Sequence, residues 1–151
     1  MVDQQIQPDQ AAVEAATMQM VGYLAGAAVT AGVMLGHQLG FYTILAGSGP
    51  LAAGELAARA GTSERLTREW LDGQAAGKIL TYDAAADTYE LDAATAMVVA
   101  DDTSPVFLAG GLGVVRTYYM DMDPVADAAR GNGGFGWDEH HHGLFEGTGR
   151  L

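Results

Sequence analysis

The sequence predicts a mainly α winged helix: a helix-turn-helix and a β-hairpin wing, with long apolar N-terminal helices before them and C-terminal helices after. Three observations predict it. Apolar residues recur at helical spacing on both sides of Gly61; the β-prone runs Lys78 to Asp83 and Thr88 to Leu91 flank a turn at Ala84 to Asp87; and no charged side chain occurs between Ala15 and Gly54. The first two give a helix-turn-helix with a hairpin where a wing belongs.

The charge-free stretch reads as two helices, about Asp9 to Ala27 and Ala28 to Leu45, apolar nearly all round and therefore expected to be buried on several sides. Such helices need more partner surface than a small domain offers. Gly22, Gly26, Gly32, Gly36 and Gly40 permit close backbone approach, so an intertwined homodimer is the economical solution. A membrane span is the competing reading. Gln19, Thr30, His37 and Gln38 interrupt the stretch, its apolar content is mostly Ala and Gly, and no Lys or Arg precedes Arg59, all of which argue against it.

Past the turn at Gly47 to Pro50, Ala53, Leu56, Ala57 and Ala60 recur at i, i+3, i+4 and i+7, a short helix ended by Gly61. Thr62 or Ser63 then caps a helix that is expected to bury Leu66, Trp70 and Leu71 and to end near Gly77. Beyond the wing, Ser104 followed by Pro105 predicts a helix N-terminus, with the helix running through Phe107, Leu108, Leu112 and Val115 towards Tyr119. Asp123 and Pro124 repeat the signal for a shorter helix closing at Gly131. Residues 131–151 read as a glycine-rich loop and a polar tail, with Trp137, Leu144 and Phe145 as anchors, apart from a winged-helix unit over residues 1–130.

Composition bounds the partners. With 151 residues and 49% hydrophobic content the chain is long enough for one buried core, and a net charge of −12 with 7 basic residues disfavours polyanions and anionic membranes. Cysteine is absent, which removes disulfide and thiolate chemistry, and the N-terminus has no basic, apolar leader, so the expected location is cytoplasmic.

The run Leu39-Gly40-Phe41-Tyr42, then Glu55-Leu56-Ala57, Arg65, Arg68-Glu69-Trp70-Leu71, Gln74-Ala75-Ala76, Tyr82-Asp83, Tyr89, Leu91, Ala100-Asp101 and Ser104-Pro105-Val106-Phe107 resembles the N-terminal winged-helix domain of actinobacterial S-adenosylmethionine-dependent methyltransferases. Trp137-Asp138-Glu139-His140 and Phe145-Glu146-Gly147-Thr148 resemble the segment leading into the catalytic domain of those enzymes. Where that family usually has Pro-Glu after the wing, this chain has Asp92-Ala93-Ala94. The resemblance implies that the N-terminal helices dimerise, and that the helices after the wing cover the substrate pocket of a following Rossmann-like domain that binds S-adenosylmethionine. Within these residues neither glycine cluster, Gly110-Gly111-Leu112-Gly113 or Gly131 to Gly136, follows a strand, so no cofactor site is expected and the first reads as helix packing.

The remaining chemistry is sparse. The candidate recognition helix offers Glu64, Arg65, Arg68, Glu69 and Asp72, and the wing adds Asp83, Asp87, Glu90 and Asp92 against Lys78, so DNA is an unfavoured partner and the arginines read as intrahelical partners of the acids. His140, His141 and His142 are consecutive, a poor arrangement for one ion, and would bind metal only adventitiously. A Met- and aromatic-rich cavity suits a small apolar molecule; its candidate lining is Met20, Tyr23, Met34, His37, Phe107, Leu112, Tyr118, Met122 and Trp137. His37 is also a potential general base, although no nucleophile with a base partner is evident. The leading functional reading is therefore the dimerisation and substrate-covering domain of a small-molecule methyltransferase. The alternatives are a stand-alone binding protein or cofactor-independent biosynthetic enzyme, and then a winged-helix regulator.

Overall fold

The structure, a computed structural model, describes residues 8–131 and 133–149. Asn132 of the glycine-rich loop, Leu151 and the first residues of the predicted winged-helix unit lie outside the described residues.

The charge-free stretch forms one continuous helix, α1 (Gln10–Gln38), in place of the expected pair. Nothing between Ala27 and Ala28 breaks a helix, and the Thr30 hydroxyl is satisfied by donating to the Gly26 carbonyl one turn earlier at 2.8 Å. The break falls at Gly40, whose φ of 71° is left-handed, and α2 (Phe41–Leu45) follows. The burial expected on several sides is assigned to a partner copy, and the single chain supplies little of it. Only Val33 and Gly36 of α1 are buried within the chain.

α3 (Ala53–Ala60) buries Ala53, Leu56 and Ala57 and ends at left-handed Gly61, as its spacing predicts. The Glu55 carboxylate accepts the Ala52 N–H at 2.9 Å, satisfying one of the donors a helix start leaves open. α4 (Glu64–Ala76) turns Thr67, Trp70, Leu71 and Gln74 inward, again at i, i+3, i+4 and i+7. Leu66, expected in the core, lies one position off that stripe and is exposed. Trp70 packs against Phe41 and Tyr42 with ring centroids 4.7 and 5.3 Å away, and the Tyr42 hydroxyl donates to Gln74 Oε1 at 2.5 Å. Burial pushes that hydroxyl far above its ordinary pKa, so it stays a neutral donor.

The wing is shorter than predicted: β1 (Thr81–Asp83) pairs antiparallel with β2 (Thr88–Glu90), Tyr82 opposite Tyr89. Leu51 adds a bridge to Tyr89, each N–H donating to the other's carbonyl at 2.9 Å, which fastens the wing to the segment before α3.

A helix that the sequence reading missed follows the wing. In α5 (Ala93–Val99), Asp92 is the N-cap and accepts the backbone N–H groups of Ala94 and Thr95 at 2.9 and 3.0 Å. The Asp-Ala-Ala that departs from the family pattern is thus a helix start. α6 (Ala109–Met120) begins four residues later than Ser104 and Pro105 predict. Ser104 does cap a turn, but the Leu108 N–H then donates to the Val98 carbonyl of α5 at 2.9 Å, which diverts the chain before it becomes helical. α7 (Met122–Arg130) closes at Gly131 as predicted.

The segment read as a polar tail is more ordered than that. A 3-10 turn (Trp137–Glu139) leads to α8 (Gly143–Thr148), which buries Leu144 and packs along α6. A Cβ on Gly147 would lie 2.5 Å from Val114 Cγ2, so only glycine allows that approach.

Candidate functional site

Three places on this scaffold could carry function: the face of α4 with the wing, a cleft between α1, α6 and α8, and a groove between α6, α7 and the turn before α8.

The first is closed on itself. Asp87 sits at the wing tip with φ 52°, a left-handed position that aspartate tolerates, and its carboxylate takes both terminal nitrogens of Arg68 at 2.9 and 3.0 Å and the Tyr82 hydroxyl at 3.0 Å. The expected intrahelical partners of Arg68 are therefore corrected to a wing residue. Those two donors hold the Asp87 carboxyl below the usual carboxylate range. Asp72, another expected partner, instead accepts the Tyr89 hydroxyl at 2.5 Å. Burial, together with that bond, pushes the Tyr89 pKa up to about 12.

The second is a cleft of about 370 Å³ with Met34 and Leu35 of α1 on one wall, Gly110, Gly113 and Thr117 of α6 on another, and His141, His142 and Glu146 at the α8 end. His37, Gln38 and Arg116 also line it. Gly110 is buried in α6 and also lines this cleft, whereas a Cβ on Gly113 would meet nothing within 4 Å.

The third is built around Asp121, at the junction of α6 and α7. Its buried carboxylate accepts the Nδ1–H of His140 at 2.8 Å and the His141 backbone N–H at 3.1 Å. The hydrogen bond from His140, ahead of the other contributions, holds the Asp121 carboxyl below the usual carboxylate range. An ionised carboxylate only accepts, so Nδ1 carries the proton of this hydrogen bond. The ring stands edge-on to Phe135 and Trp137, with centroids 4.6 and 5.6 Å away. Beside it Tyr118, Met122, Val125 and Leu144 line an apolar groove of about 470 Å³.

The nine candidate lining residues do not share one cavity among the described residues. Met34 and His37 border the second place, and His37 lies 5.8 Å from the Phe107 ring. Tyr118 and Met122 border the third, with Trp137 against His140 and Phe145 next to it. Leu112 and Phe107 pack on the core, whereas Met20 and Tyr23 project from the free part of α1. The Asp121 to His140 pair was missed because the partners are 19 residues apart and consecutive histidines suggested a solvated run. The available signal was Asp121 itself, an acid at the end of an apolar helix. Among the described residues, no group of three or more His, Cys, Asp or Glu side chains could hold a metal ion.

Helix-turn-helix, wing and flanking helices define a winged-helix protein. Residues 27–101 match the family model of the Rv2258c-like winged helix-turn-helix domain. Comparison with curated protein sequences gives no match. Solved structures do match in fold. Human N-acetylserotonin methyltransferase, determined with S-adenosylmethionine, is 25% identical with a TM-score of 0.63, over 83% of this chain and 36% of that one. The mitomycin 7-O-methyltransferase is 23% identical with a TM-score of 0.65, over 81% of this chain and 36% of that one. A methyltransferase of calicheamicin biosynthesis, in its S-adenosylhomocysteine-bound form, is 19% identical with a TM-score of 0.62, over 95% of this chain and 46% of that one. This chain thus spans between about a third and a half of the length of these relatives, and its fold is that of their N-terminal winged-helix portion.

Proposed function

We propose that these residues form the dimerisation and substrate-covering domain of an S-adenosylmethionine-dependent O-methyltransferase that acts on a small molecule. The observation that carries the reading is α1. Over its most apolar 18-residue window it has a mean hydropathy of 1.5 and is 6% buried, while Met18, Met20, Tyr23 and Leu24 are all more than half exposed. Exposed apolar surface on this scale marks an interface. The glycines divide accordingly. A Cβ on Gly32 or Gly36 would collide with Gln74 or Trp70 of the same chain, whereas Gly22 and Gly26 have nothing within 4 Å and lie one turn apart on the free part of the helix. The first pair fits α1 to its own domain; the second leaves room for a partner helix.

By length and composition α1 could also cross a membrane. A protein partner is preferred because the C-terminal third of α1 is fixed against α4 and α6, and Gln10, Glu14 and Gln19 punctuate the rest. The regulator reading is disfavoured by the wing, whose Asp87 occupies Arg68 within a strongly acidic surface. The distinguishing experiment is Gly26→Leu. With no neighbour in its own chain to disturb, it should leave the thermal midpoint of the monomer unit in place and dissociate the dimer; a variant that stays dimeric would exclude this face of α1 as the interface.

A further inference from the structure

We infer that the cleft between α1, α6 and α8 is a binding site for a free apolar amino acid, its carboxylate taken by Arg116 and its ammonium by Glu146. The cleft is formed by one chain alone, so the inference does not rest on the substrate-covering reading.

Two opposite charges share this cleft without meeting. Arg116 of α6 and Glu146 of α8 both line it, yet among the described residues they form no ion pair with each other and neither side chain has another charged partner. Guanidinium to carboxylate and ammonium to carboxylate are both charge-assisted bonds, the strong class, so a ligand carrying both groups engages both residues at once. Net charge decides between ligand classes. At −12 the chain repels a free anion, whereas a zwitterion has no net charge to repel. The lining matches it, because Arg116 and Glu146 are its only Asp, Glu, Lys or Arg side chains and their charges cancel. Met34 and Leu35 of α1 supply an apolar wall for the ligand's side chain.

Gly113 supplies the room. Glycine inside a helix destabilises it relative to alanine. Gly113 lies within α6 without a positive φ, and a Cβ there would meet nothing within 4 Å, so neither the backbone nor packing within the chain calls for glycine. What its missing side chain leaves is space in the cleft. A volume of about 370 Å³ is at the small end of the ordinary range for small-molecule sites, which suits a ligand of amino-acid size.

The test titrates the full chain by calorimetry at neutral pH with three probes: L-leucine, L-leucinamide, which lacks the carboxylate, and N-acetyl-L-leucine, which lacks the ammonium. Leucine should bind saturably at one per chain and about tenfold tighter than either derivative, the ratio that one charge-assisted bond supplies. Arg116→Gln should bring leucine and leucinamide together while keeping the preference over N-acetyl-leucine. Glu146→Gln should do the reverse, bringing leucine and N-acetyl-leucine together. Gly113→Leu, whose Cβ disturbs nothing, should fill the cleft and abolish binding of all three. Should any variant fail to fold, the three probes on the unsubstituted protein decide. No saturable leucine binding, a derivative that binds as tightly as leucine, a preference indifferent to Arg116→Gln and Glu146→Gln, or binding that survives in folded Gly113→Leu would overturn the inference.

Discussion

The Trp70 indole donates its Nε1 hydrogen to the Gly32 carbonyl at 2.8 Å, reaching from α4 to a backbone oxygen in the C-terminal third of α1. Gly36, one turn further, leaves the space that the ring fills, since a Cβ there would lie 2.2 Å from Trp70 Cζ2. This contact joins the apolar arm to the winged helix. Trp70→Ala should therefore cost about 3 to 5 kcal/mol of folding free energy, read from urea denaturation, with Phe at the same position losing less because the ring contacts with Phe41 and Tyr42 remain. A denaturation midpoint unchanged in Trp70→Ala would mean that the arm and the wing fold independently. By the same geometry Gly36→Leu should unfold the chain, in contrast to Gly26→Leu.

The pattern-based parts of this fold were legible and the context-based parts were not. α3, α4 and the hairpin follow from short-range spacing and turn residues, and the sequence reading places all three. α1 was divided in error because apolar residues all round a helix leave no period to register, and nothing local marks where such a run continues or breaks. The start of α6 was misplaced for a different reason: Ser104 and Pro105 are a sound local N-terminal signal, overridden by a backbone bond from Leu108 to Val98 that no local pattern encodes. The groove beside His140 needs α6, α7 and the turn before α8 to meet, and Asp121 and His140 are joined by tertiary structure alone.

The Asp121 contact makes the attachment of α8 pH-dependent. Its carboxyl is depressed in the folded state, so the stabilisation is present above the ordinary carboxylate pKa near ~4 and is lost as pH falls below it. Asp121→Asn should melt at a lower temperature than the unsubstituted chain at neutral pH, and the gap should close as the solution is acidified. Thermal midpoints of the two proteins across that range measure it; a constant gap would show that the carboxylate's charge has no part in the contact.

The wing should not read DNA. Arg68 is engaged by Asp87, and Asp83, Glu90 and Asp92 in and beside the wing add negative charge, so no duplex should bind at physiological salt and Arg65→Ala should alter nothing in such an assay. A sequence-specific complex with the steep salt dependence of phosphate contacts would favour the regulator over the scaffold.

Asp87→Asn should loosen the wing tip and leave α1 untouched. Its carboxylate contributes above the ordinary carboxylate range and loses that contribution as pH falls, so the variant should match the unsubstituted protein in acid and show faster amide exchange at Tyr82 and Tyr89 near neutrality. Equal exchange at neutral pH would remove the Arg68 to Asp87 pair from the account of the wing.

The central claim is that the exposed apolar face of α1 is covered by a second copy of the chain. Sedimentation equilibrium in detergent-free buffer at low micromolar concentration tests it most directly. The predicted result is a single species of twice the 15.7 kDa chain mass, converted to monomer by Gly26→Leu. A 15.7 kDa monomer across that concentration range, or a chain recovered only with lipid or detergent, would contradict it.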